Sequence, residues 1–286
     1  LNNVKQKANT VLSIQKEEII EQNRTIEESN KSMLDSINYA KLIQDSVLPS
    51  PQLFEELLPN SFVLYKPKDI VSGDFYFIGR PGDSVGQPIS VFAVGDCTGH
   101  GVPGALLSII GKTFLQLGLT ELNVNSCSDA LNYLNEGVYN ILKSRSTSLR
   151  DGMDIALCAL NYDNLMLEYA GGNNPVYIAR EGEIIIVKPD KHGIGDIDRN
   201  NELYKFKNVT IQLQKNDTVY IFSDGFSDQF GGPKGKKFLS SRMRQLFLDI
   251  DQLPLKERLE TLERTFDEWK GDLEQVDDVC ILSVRI

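Results

Sequence analysis

The chain has 286 residues, 41% of them hydrophobic, which is enough for one large domain with an appendage or for two small domains. Its formal net charge of −10 argues against a nucleic-acid partner, whose phosphates would be repelled, and is compatible with a protein that binds divalent cations. No unbroken apolar run approaches the ~18 residues of a membrane span, and no signal peptide is recognisable. Four cysteines without CxxC spacing and only two histidines favour reduced, buried thiols in a cytoplasmic protein and disfavour a zinc site.

Residues 1–48 contain no glycine or proline and are predicted to form a long helix. Apolar residues recur every seven positions, at Leu12, Ile19, Ile26, Met33, Ala40 and Val47. The companion positions three residues later are mostly polar, which weakens pairing between helices. We expect a marginal parallel coiled coil that makes the protein a homodimer; the alternative is a single amphipathic helix that lies on its own domain. Because the chain begins at Leu1 rather than Met, we also expect it to be a fragment of a longer protein.

Pro49-Ser-Pro51 marks a change to short apolar runs separated by turns, so we divide the chain into a helical linker, 1–48, and a second domain, 49–286. Strands are predicted at 62–65, 74–78, 89–94, 154–160, 166–170, 175–179, 184–188, 209–213, 218–222 and 279–284. Helices are predicted at 103–119, 126–144, 238–249 and 255–270. Many consecutive strands without helices between them indicate antiparallel pairing. The predicted fold is therefore α+β: two packed antiparallel sheets flanked by helices (an α-β-β-α sandwich) after the long N-terminal helix.

Aspartates recur where predicted strands begin or end. Asp96 ends the apolar run 89–94 within the glycine-rich stretch GDCTGHG, and Asp224 ends another buried run at Asp-Gly. Asp74 follows Ser72-Gly73 at the start of an aromatic strand, and Asp277-Asp278 directly precede the last strand. If these acids converged at one edge of the sandwich, their mutual repulsion would favour a cation, and oxygen ligands suit Mg²⁺ or Mn²⁺. The alternative is a set of unrelated turn acids on solvated rims.

Five ordered motifs, SGDFY, VGDCTGHGVPGALLS, YAGGNNPVYI, YIFSDGFSD and DDVCILSV, extend over most of the chain from Asn60 to Ile286. Together they resemble the metal-dependent (PPM-type) serine/threonine protein phosphatases, and the branch they are most similar to is the bacterial SpoIIE/RsbU-like one. The segment from Ser36 to Pro49 also resembles the linker that joins such domains to upstream sensor modules.

This resemblance implies a centre with two Mg²⁺ or Mn²⁺ ions. Asp96 matches the acid that bridges both ions, and the carbonyl of Cys97 matches a backbone ligand. The remaining matched positions are Asp224 and Asp277 as ligands of the second ion, Asp74 as a ligand directly or through water, and Asp278 as the less favoured neighbour of Asp277. Asp151 and Asp154 are weaker candidates for binding a third ion. The simpler interpretation is that Asp151 is an ordinary loop acid and Asp154 an ordinary acid at the start of a strand.

The implied reaction is hydrolysis of phosphoserine or phosphothreonine by water that the metal ions activate, without a phosphoenzyme. His100 is similar in placement to a histidine that acts as general acid in related phosphatases, although its spacing differs by two residues and a simple turn histidine is the alternative. The implied substrate is a phosphorylated anti-sigma-factor antagonist with a STAS-type domain, or a similar bacterial signalling protein. Two alternatives stay open: a two-metal hydrolase of small phosphoesters and a catalytically silent, regulated binding module.

Overall fold

The computed structural model describes residues 2–82, 89–120, 126–143, 151–197 and 202–286, apart from the side chains of residues 2–11, 120 and 143. The chain forms two compact units, Leu1–Ile43 and Gln44–Ile286. The division predicted from the sequence, 1–48 and 49–286, stays a prediction.

The first unit is helical. Its helix α1 spans Asn2–Val47 and so continues into the second unit. One pair of side chains four residues apart supports it: Arg24 donates to Glu28 at 3.1 Å. The apolar heptad positions of this unit for which exposure is described, Leu12, Ile19, Ile26 and Met33, are 66%, 56%, 55% and 59% exposed. A seam of large apolar side chains therefore faces solvent along α1.

Two five-stranded antiparallel sheets form the body of the second unit. One has the order β1-β12-β9-β6-β7, with β1 Ser61–Lys66, β6 Val176–Arg180, β7 Glu183–Val187, β9 Thr218–Phe222 and β12 Val279–Arg285. The other has the order β2-β3-β4-β5-β8, with β2 Asp74–Gly79, β3 Ile89–Cys97, β4 Met153–Asn161, β5 Met166–Gly172 and β8 Val209–Gln212. A hairpin of β10 Phe230–Gly231 and β11 Lys236–Lys237 stands apart from both sheets.

Six further helices belong to this unit within the described residues: α2 Pro51–Leu57, α3 Gly101–Thr120, α4 Cys127–Lys143, α5 Gly225–Asp228, α6 Ser240–Ile250 and α7 Leu255–Lys270. The α2 helix begins at a capping residue, Ser50, whose hydroxyl accepts from the amide of Leu53 at 3.3 Å.

Three buried clusters define the layers. Even-numbered residues of β2, β3 and β4, such as Tyr76, Val94 and Cys158, pack against β6, β9 and β12 in the core between the sheets. The odd-numbered side chains, such as Phe77 and Leu157, pack under α3 and α4. The outer face of the other sheet packs against α6 and α7. Because strand side chains alternate between the two faces, the central strands of each sheet are buried on both sides, and the predicted α-β-β-α sandwich is confirmed.

The predicted strands all occur, with ends shifted by at most three residues, and the four predicted helices of this domain occur as well. The sequence prediction missed α2, the one-turn α5 and the short β10–β11 hairpin. These elements are too short to show a periodic apolar pattern, and only packing against the larger elements defines them.

One helix, Gly101–Leu119 within α3, is long and apolar enough to cross a membrane by length and composition alone, with a mean hydropathy of 1.4. Polar residues interrupt its apolar run, and 44% of the segment is buried in the fold. Its buried side chains, Leu107 and Leu115 among them, pack in the cluster beneath α3 and α4. This packing accounts for its composition as a core helix.

Candidate functional site

Three acidic residues stand side by side on neighbouring strands. Asp74 at the start of β2 pairs directly with Asp96 near the end of β3, and Asp96 pairs with Asp154 at the start of β4. Directly paired residues of antiparallel strands project from the same face of the sheet. That face is the one that carries Tyr76 and Val94 into the core between the sheets. The three carboxyl groups therefore lie at the edge of the sandwich, turned towards the second sheet.

The second sheet brings the other predicted acids to the same edge. Asp224 follows the end of β9, and Asp277-Asp278 precede the start of β12, which pairs with β9 from Phe222 and Ile281 onward. A hydrogen bond of 2.5 Å from the Ser223 hydroxyl to the Asp74 carboxylate joins the two sheets at this edge. Segments that are far apart in the sequence therefore supply one cluster of carboxyl groups.

Burial and repulsion from neighbouring carboxylates raise the pKa values of Asp74, Asp96 and Asp224. Burial, with the nearby Asp224, Asp277 and Asp154, raises the pKa of Asp96 to about 8. The pKa of Asp224 rises to about 6, first through burial and then through Asp228, Asp277 and Asp154. Burial and the charge of Asp96 raise the pKa of Asp74 well above its ordinary value. A cation in the cluster would oppose these shifts, because it favours the charged form of each carboxylate.

Asp278 is held by two backbone amides. Its two carboxylate oxygens accept hydrogen bonds of 2.7 Å each from the amides of Lys68 and Gly73. Burial raises the pKa of this carboxyl group, and the hydrogen bonds from the two backbone amides partly offset that rise. Asp277 instead uses a carboxylate oxygen to accept the amide of Asp278 at 2.9 Å. The two neighbours thus have different roles: Asp278 ties the segment before β12 to the loop before β2.

Glycines allow three backbone segments to meet beside the acids. A Cβ atom on Gly73 would lie 2.6 Å from the carbonyl oxygen of Gly99 and 3.3 Å from that of Cys97. A Cβ atom on Gly104 would lie 2.2 Å from the same Gly99 oxygen and 3.0 Å from the Cα atom of Gly73. The loop before β2, the turn after β3 and the start of α3 are therefore in direct backbone contact. The carbonyl of Cys97, the predicted backbone ligand, lies within this contact.

A buried glutamine braces the loop that carries Asp74. The side chain of Gln44 accepts from the amide of Ser72 at 3.0 Å and donates to the carbonyl of Ser72 at 2.6 Å. It also donates to the hydroxyl of Ser108 on α3 at 3.0 Å. Because a buried amide that lost these partners would be costly, the bonds hold the loop and α3 together.

His100 lies on the turn after β3 and is about half exposed. Its Nδ1 atom lies 2.7 Å from a carboxylate oxygen of Asp69, which leaves Nε2 as the ring nitrogen available to a substrate. Gly99 and Gly101 on either side have φ values of +82° and +70°, which other residues rarely adopt, so the turn needs glycine there. Asp69 was not predicted from the sequence, because a carboxylate 31 residues before a histidine carries no signal of contact.

The two weaker candidates differ in placement. Asp154 belongs to the row of paired acids, and its carboxylate accepts a 2.8 Å hydrogen bond from the side chain of Asn173. Burial raises its pKa. Asp151 lies two residues before β4 and lines a groove beside α3 with Thr98 and Val102. Of the pair, Asp154 is therefore the one in electrostatic reach of Asp96 and Asp224.

The donor atoms fit a hard divalent cation better than a softer metal, because they are carboxylate and carbonyl oxygens. Within the described ranges, no group of three or more His, Cys, Asp or Glu side chains stands in a ready-made metal-binding arrangement. The acids interact electrostatically but do not converge on one point. At the edge of the sandwich, buried carboxyl groups raise one another's pKa values. The assignment of metal ligands stays a prediction for all six residues: Asp74, Asp96, Cys97, Asp224, Asp277 and Asp278.

The chain matches known proteins over this whole body. The family model described as Stage II sporulation protein E (SpoIIE) matches residues 90–286. The solved SiaA-PP2C domain of Pseudomonas aeruginosa is 31% identical, with a TM-score of 0.79 over 90% of this chain and 98% of that one. A search of curated protein sequences found no significant match.

Two more distant structures support the fold alone. The PP2C phosphatase domain of SpoIIE from Bacillus subtilis, with a fragment of its regulatory domain, is 21% identical, with a TM-score of 0.62 over 79% of this chain and 61% of that one. The RsbU and RsbW domains of Rv1364c from Mycobacterium tuberculosis are 19% identical, with a TM-score of 0.59 over 79% of this chain and 59% of that one. On the family match and the SiaA likeness, the chain belongs to the SpoIIE-like family of PP2C-type protein serine/threonine phosphatases.

Proposed function

We propose that the protein removes phosphate from phosphoserine or phosphothreonine on a bacterial signalling protein, with Mg²⁺ or Mn²⁺ held by the acidic cluster. The observation that carries this proposal is the row of Asp74, Asp96 and Asp154 opposite Asp224, in which the pKa of Asp96 is raised to about 8. Enzymes of this family generally use Mg²⁺ or Mn²⁺. Two such ions would activate a water molecule and would offset the negative charge on the phosphoryl oxygens.

Each residue has a defined task in this proposal. Asp96, at the centre of the row, would contact both ions, while Asp224 and Asp277 would hold the second and Asp74 would act directly or through water. Water attacks phosphorus, the bond from phosphorus to the serine oxygen breaks, and that oxygen takes up a proton. His100 would donate this proton from Nε2, because Nδ1 is engaged by Asp69. Serine and inorganic phosphate are the products.

The proposed substrate is a phosphorylated anti-sigma-factor antagonist with a STAS-type domain. Support comes from the relatives: one structure of similar fold holds RsbU and RsbW domains, and another structure of similar fold concerns the bacterial stressosome. We place the reaction in the cytoplasm, where the four free and buried cysteines would remain reduced.

The experiment that tests the function is Mn²⁺-dependent release of phosphate from a phosphoserine peptide. We expect Asp96→Asn and Asp224→Asn to fold as the unaltered protein does and to lose turnover by about two orders of magnitude or more, because both remove a charge that holds the metal. Asp163→Asn, in the turn between β4 and β5, is the matched control and should keep full activity. Full activity in Asp96→Asn would contradict the assignment of the bridging acid.

A substrate panel separates the two alternatives. A hydrolase of small phosphoesters would prefer nucleotides to the phosphoserine peptide. A silent binding module would show no hydrolysis of any substrate with Mn²⁺ or Mg²⁺. The acids that the family pattern requires are all present, which favours an active enzyme over a silent one.

We further propose that α1 forms a parallel coiled coil in a homodimer and that this pairing regulates activity. The exposed seam of Leu12, Ile19, Ile26 and Met33 supports pairing, and the polar companion positions would keep it marginal. Sedimentation velocity should show a dimer that Ile19→Asp with Ile26→Asp converts to a monomer. The control variant changes two charged residues off the seam: Glu17→Gln with Glu18→Gln should leave the dimer intact.

A further inference from the structure

The twenty residues from Gln229 to Leu248 carry a local charge opposite to that of the whole chain. They contain five cations, Lys234, Lys236, Lys237, Arg242 and Arg244, and no aspartate or glutamate. The chain as a whole has 40 acidic and 30 basic residues. This stretch comprises the β10–β11 hairpin and most of α6. We call it the basic segment.

The basic segment is attached to the part of the site that follows β9. The Nζ atom of Lys237 lies 2.6 Å from a carboxylate oxygen of Asp228, one turn after Asp224. The amide of Leu239 donates to the carbonyl of Ser227 at 2.8 Å. Lys237 is also close enough to Asp224 to lower the pKa of that carboxyl group. The hairpin therefore stands directly beside one of the predicted metal ligands.

A second attachment joins it to the segment that carries Asp277. Gln229, at the start of the hairpin, is fully buried, and its Oε1 atom accepts from the amide of Val276 at 3.0 Å. Its Nε2 atom donates to the carbonyl of Glu274 at 3.0 Å. Val276 directly precedes Asp277. Because Gln229 bonds the segment before Asp277 in this way, the hairpin is fixed in place at the rim of the acidic cluster.

Two cations of the hairpin, Lys234 and Lys236, are exposed. Within the described part of the chain, no ion pair joins either to an acidic side chain. The guanidinium of Arg242 lies 4.5 Å from the ring of Trp269, and the backbone of Gly231 and Gly232 packs against the same indole. The tryptophan thus contacts both the hairpin and the start of α6.

We propose that the basic segment is a docking surface for an acidic stretch of the phosphorylated protein substrate, next to its phosphorylated residue. This inference rests on the proposed phosphatase function. A phosphoprotein that approaches a chain of net charge −10 is repelled at long range, and the cations of the basic segment oppose that repulsion where the substrate must bind. The effect is on productive encounter and KM rather than on the chemical step.

The test compares three substrates at low salt with Mn²⁺: a phosphoserine peptide flanked by glutamates, the same peptide flanked by serines, and p-nitrophenyl phosphate. We expect the glutamate-flanked peptide to have the highest kcat/KM and to lose its advantage as salt is raised. Lys234→Glu with Lys236→Glu should lower kcat/KM for that peptide by about tenfold, mainly through KM, and change p-nitrophenyl phosphate turnover by less than about twofold.

The control makes the same change of charge at the other end of the sheet. Lys215 precedes the start of β9 and Lys256 lies at the start of α7, whose Arg258 bonds Thr218 at that same end of β9. Lys215→Glu with Lys256→Glu should keep the preference for the acidic peptide.

Four results would overturn part of this account. If p-nitrophenyl phosphate is still hydrolysed, two results would overturn the docking proposal alone. One is an equal loss of kcat/KM for the glutamate-flanked peptide in both double variants, and the other is no preference of the unaltered protein for that peptide. Absence of hydrolysis of all three substrates by the unaltered protein would instead overturn the function itself. Binding of the unaltered protein to vesicles of anionic lipid without any peptide preference would assign the segment to a membrane surface and would also overturn the proposal.

Discussion

At the scale of single residues, the contact between His100 and Asp69 is a feature of the site that the sequence did not predict. The family resemblance implied a general-acid role for His100, but its spacing left a simple turn histidine as the alternative. The 2.7 Å contact with Asp69 orients the ring, because it fixes which nitrogen is engaged. A positioned imidazole with one free nitrogen suits proton donation to a serine leaving group.

This arrangement predicts a dependence on the leaving group. His100→Gln should lower kcat for a phosphoserine peptide by about a hundredfold, because serine leaves poorly without a proton. The same variant should change p-nitrophenyl phosphate turnover little, since nitrophenolate leaves without help. Asp69→Asn should cause a smaller loss, about tenfold, with the peptide alone.

The double variant supplies the control for this prediction. If Asp69 acts through His100, adding Asp69→Asn to His100→Gln should cause almost no further loss. Independent, multiplicative losses, or equal losses with both substrates, would show that His100 is a turn residue and Asp69 only its structural partner.

At the scale of elements, the sequence predicted the strands, the main helices and the presence of acids at strand boundaries, because alternation and buried apolar runs are local signals. It did not predict which acids stand next to each other. The pairing of Asp74 with Asp96 and Asp154 depends on strand register, and the bond from Ser223 to Asp74 depends on how the sheets face each other. Both are long-range properties that no single segment contains.

The start of α3 is a second feature of this kind. In the sequence Gly104 is only a weak helix former, yet its lack of a side chain lets the helix touch the backbone of Gly99 and Gly73. The helix therefore shares a rigid contact with both loops that border the acids. Motion of α3 would move those loops with it.

The contact predicts the effect of one added methyl group. Gly104→Ala should raise the Mn²⁺ concentration for half-maximal activity by about tenfold, because the new Cβ meets backbone atoms that can yield only if the loops shift. Gly111→Ala is the matched control on the same helix: its Cβ would meet the end of the flexible Met153 side chain first. We expect near-normal metal response there, measured by Mn²⁺ titration of phosphate release. Similar losses in both variants would point to helix propensity or general overpacking instead.

At the scale of the whole molecule, the acidic cluster couples stability to pH and to metal. The pKa of Asp96 is about 8 in the fold and near its ordinary value of about 3.9 in the unfolded chain. Between these values the folded state binds more protons than the unfolded state, so stability falls as pH rises. The pKa of Asp224, raised to about 6, acts in the same direction over a narrower range.

We therefore expect the melting temperature of the metal-free protein to fall between about pH 5 and pH 8. Stabilisation by Mn²⁺ should grow over the same range, because the ligands must lose their protons before they bind the ion. Differential scanning calorimetry with and without Mn²⁺ measures both.

Asp96→Asn tests the source of the effect. This variant should melt higher than the unaltered protein at pH 8 without metal, since it removes a repelling charge, and its melting temperature should depend less on pH and on Mn²⁺. A metal-free protein that gains stability as pH rises would contradict the electrostatic account of the cluster.

The hydrogen bond of 2.7 Å that the backbone amide of Gly73 donates to the carboxylate of Asp278 joins residues that are 205 positions apart. A ribosome that synthesises this chain makes Asp74 and Asp96 long before Asp277 and Asp278 emerge. The nascent polypeptide must therefore remain without its complete acidic cluster until the last strand has been translated and inserted between β1 and β9. In the cell, dephosphorylation by this protein would thus start only after translation has passed that strand, and truncated translation products would be inert.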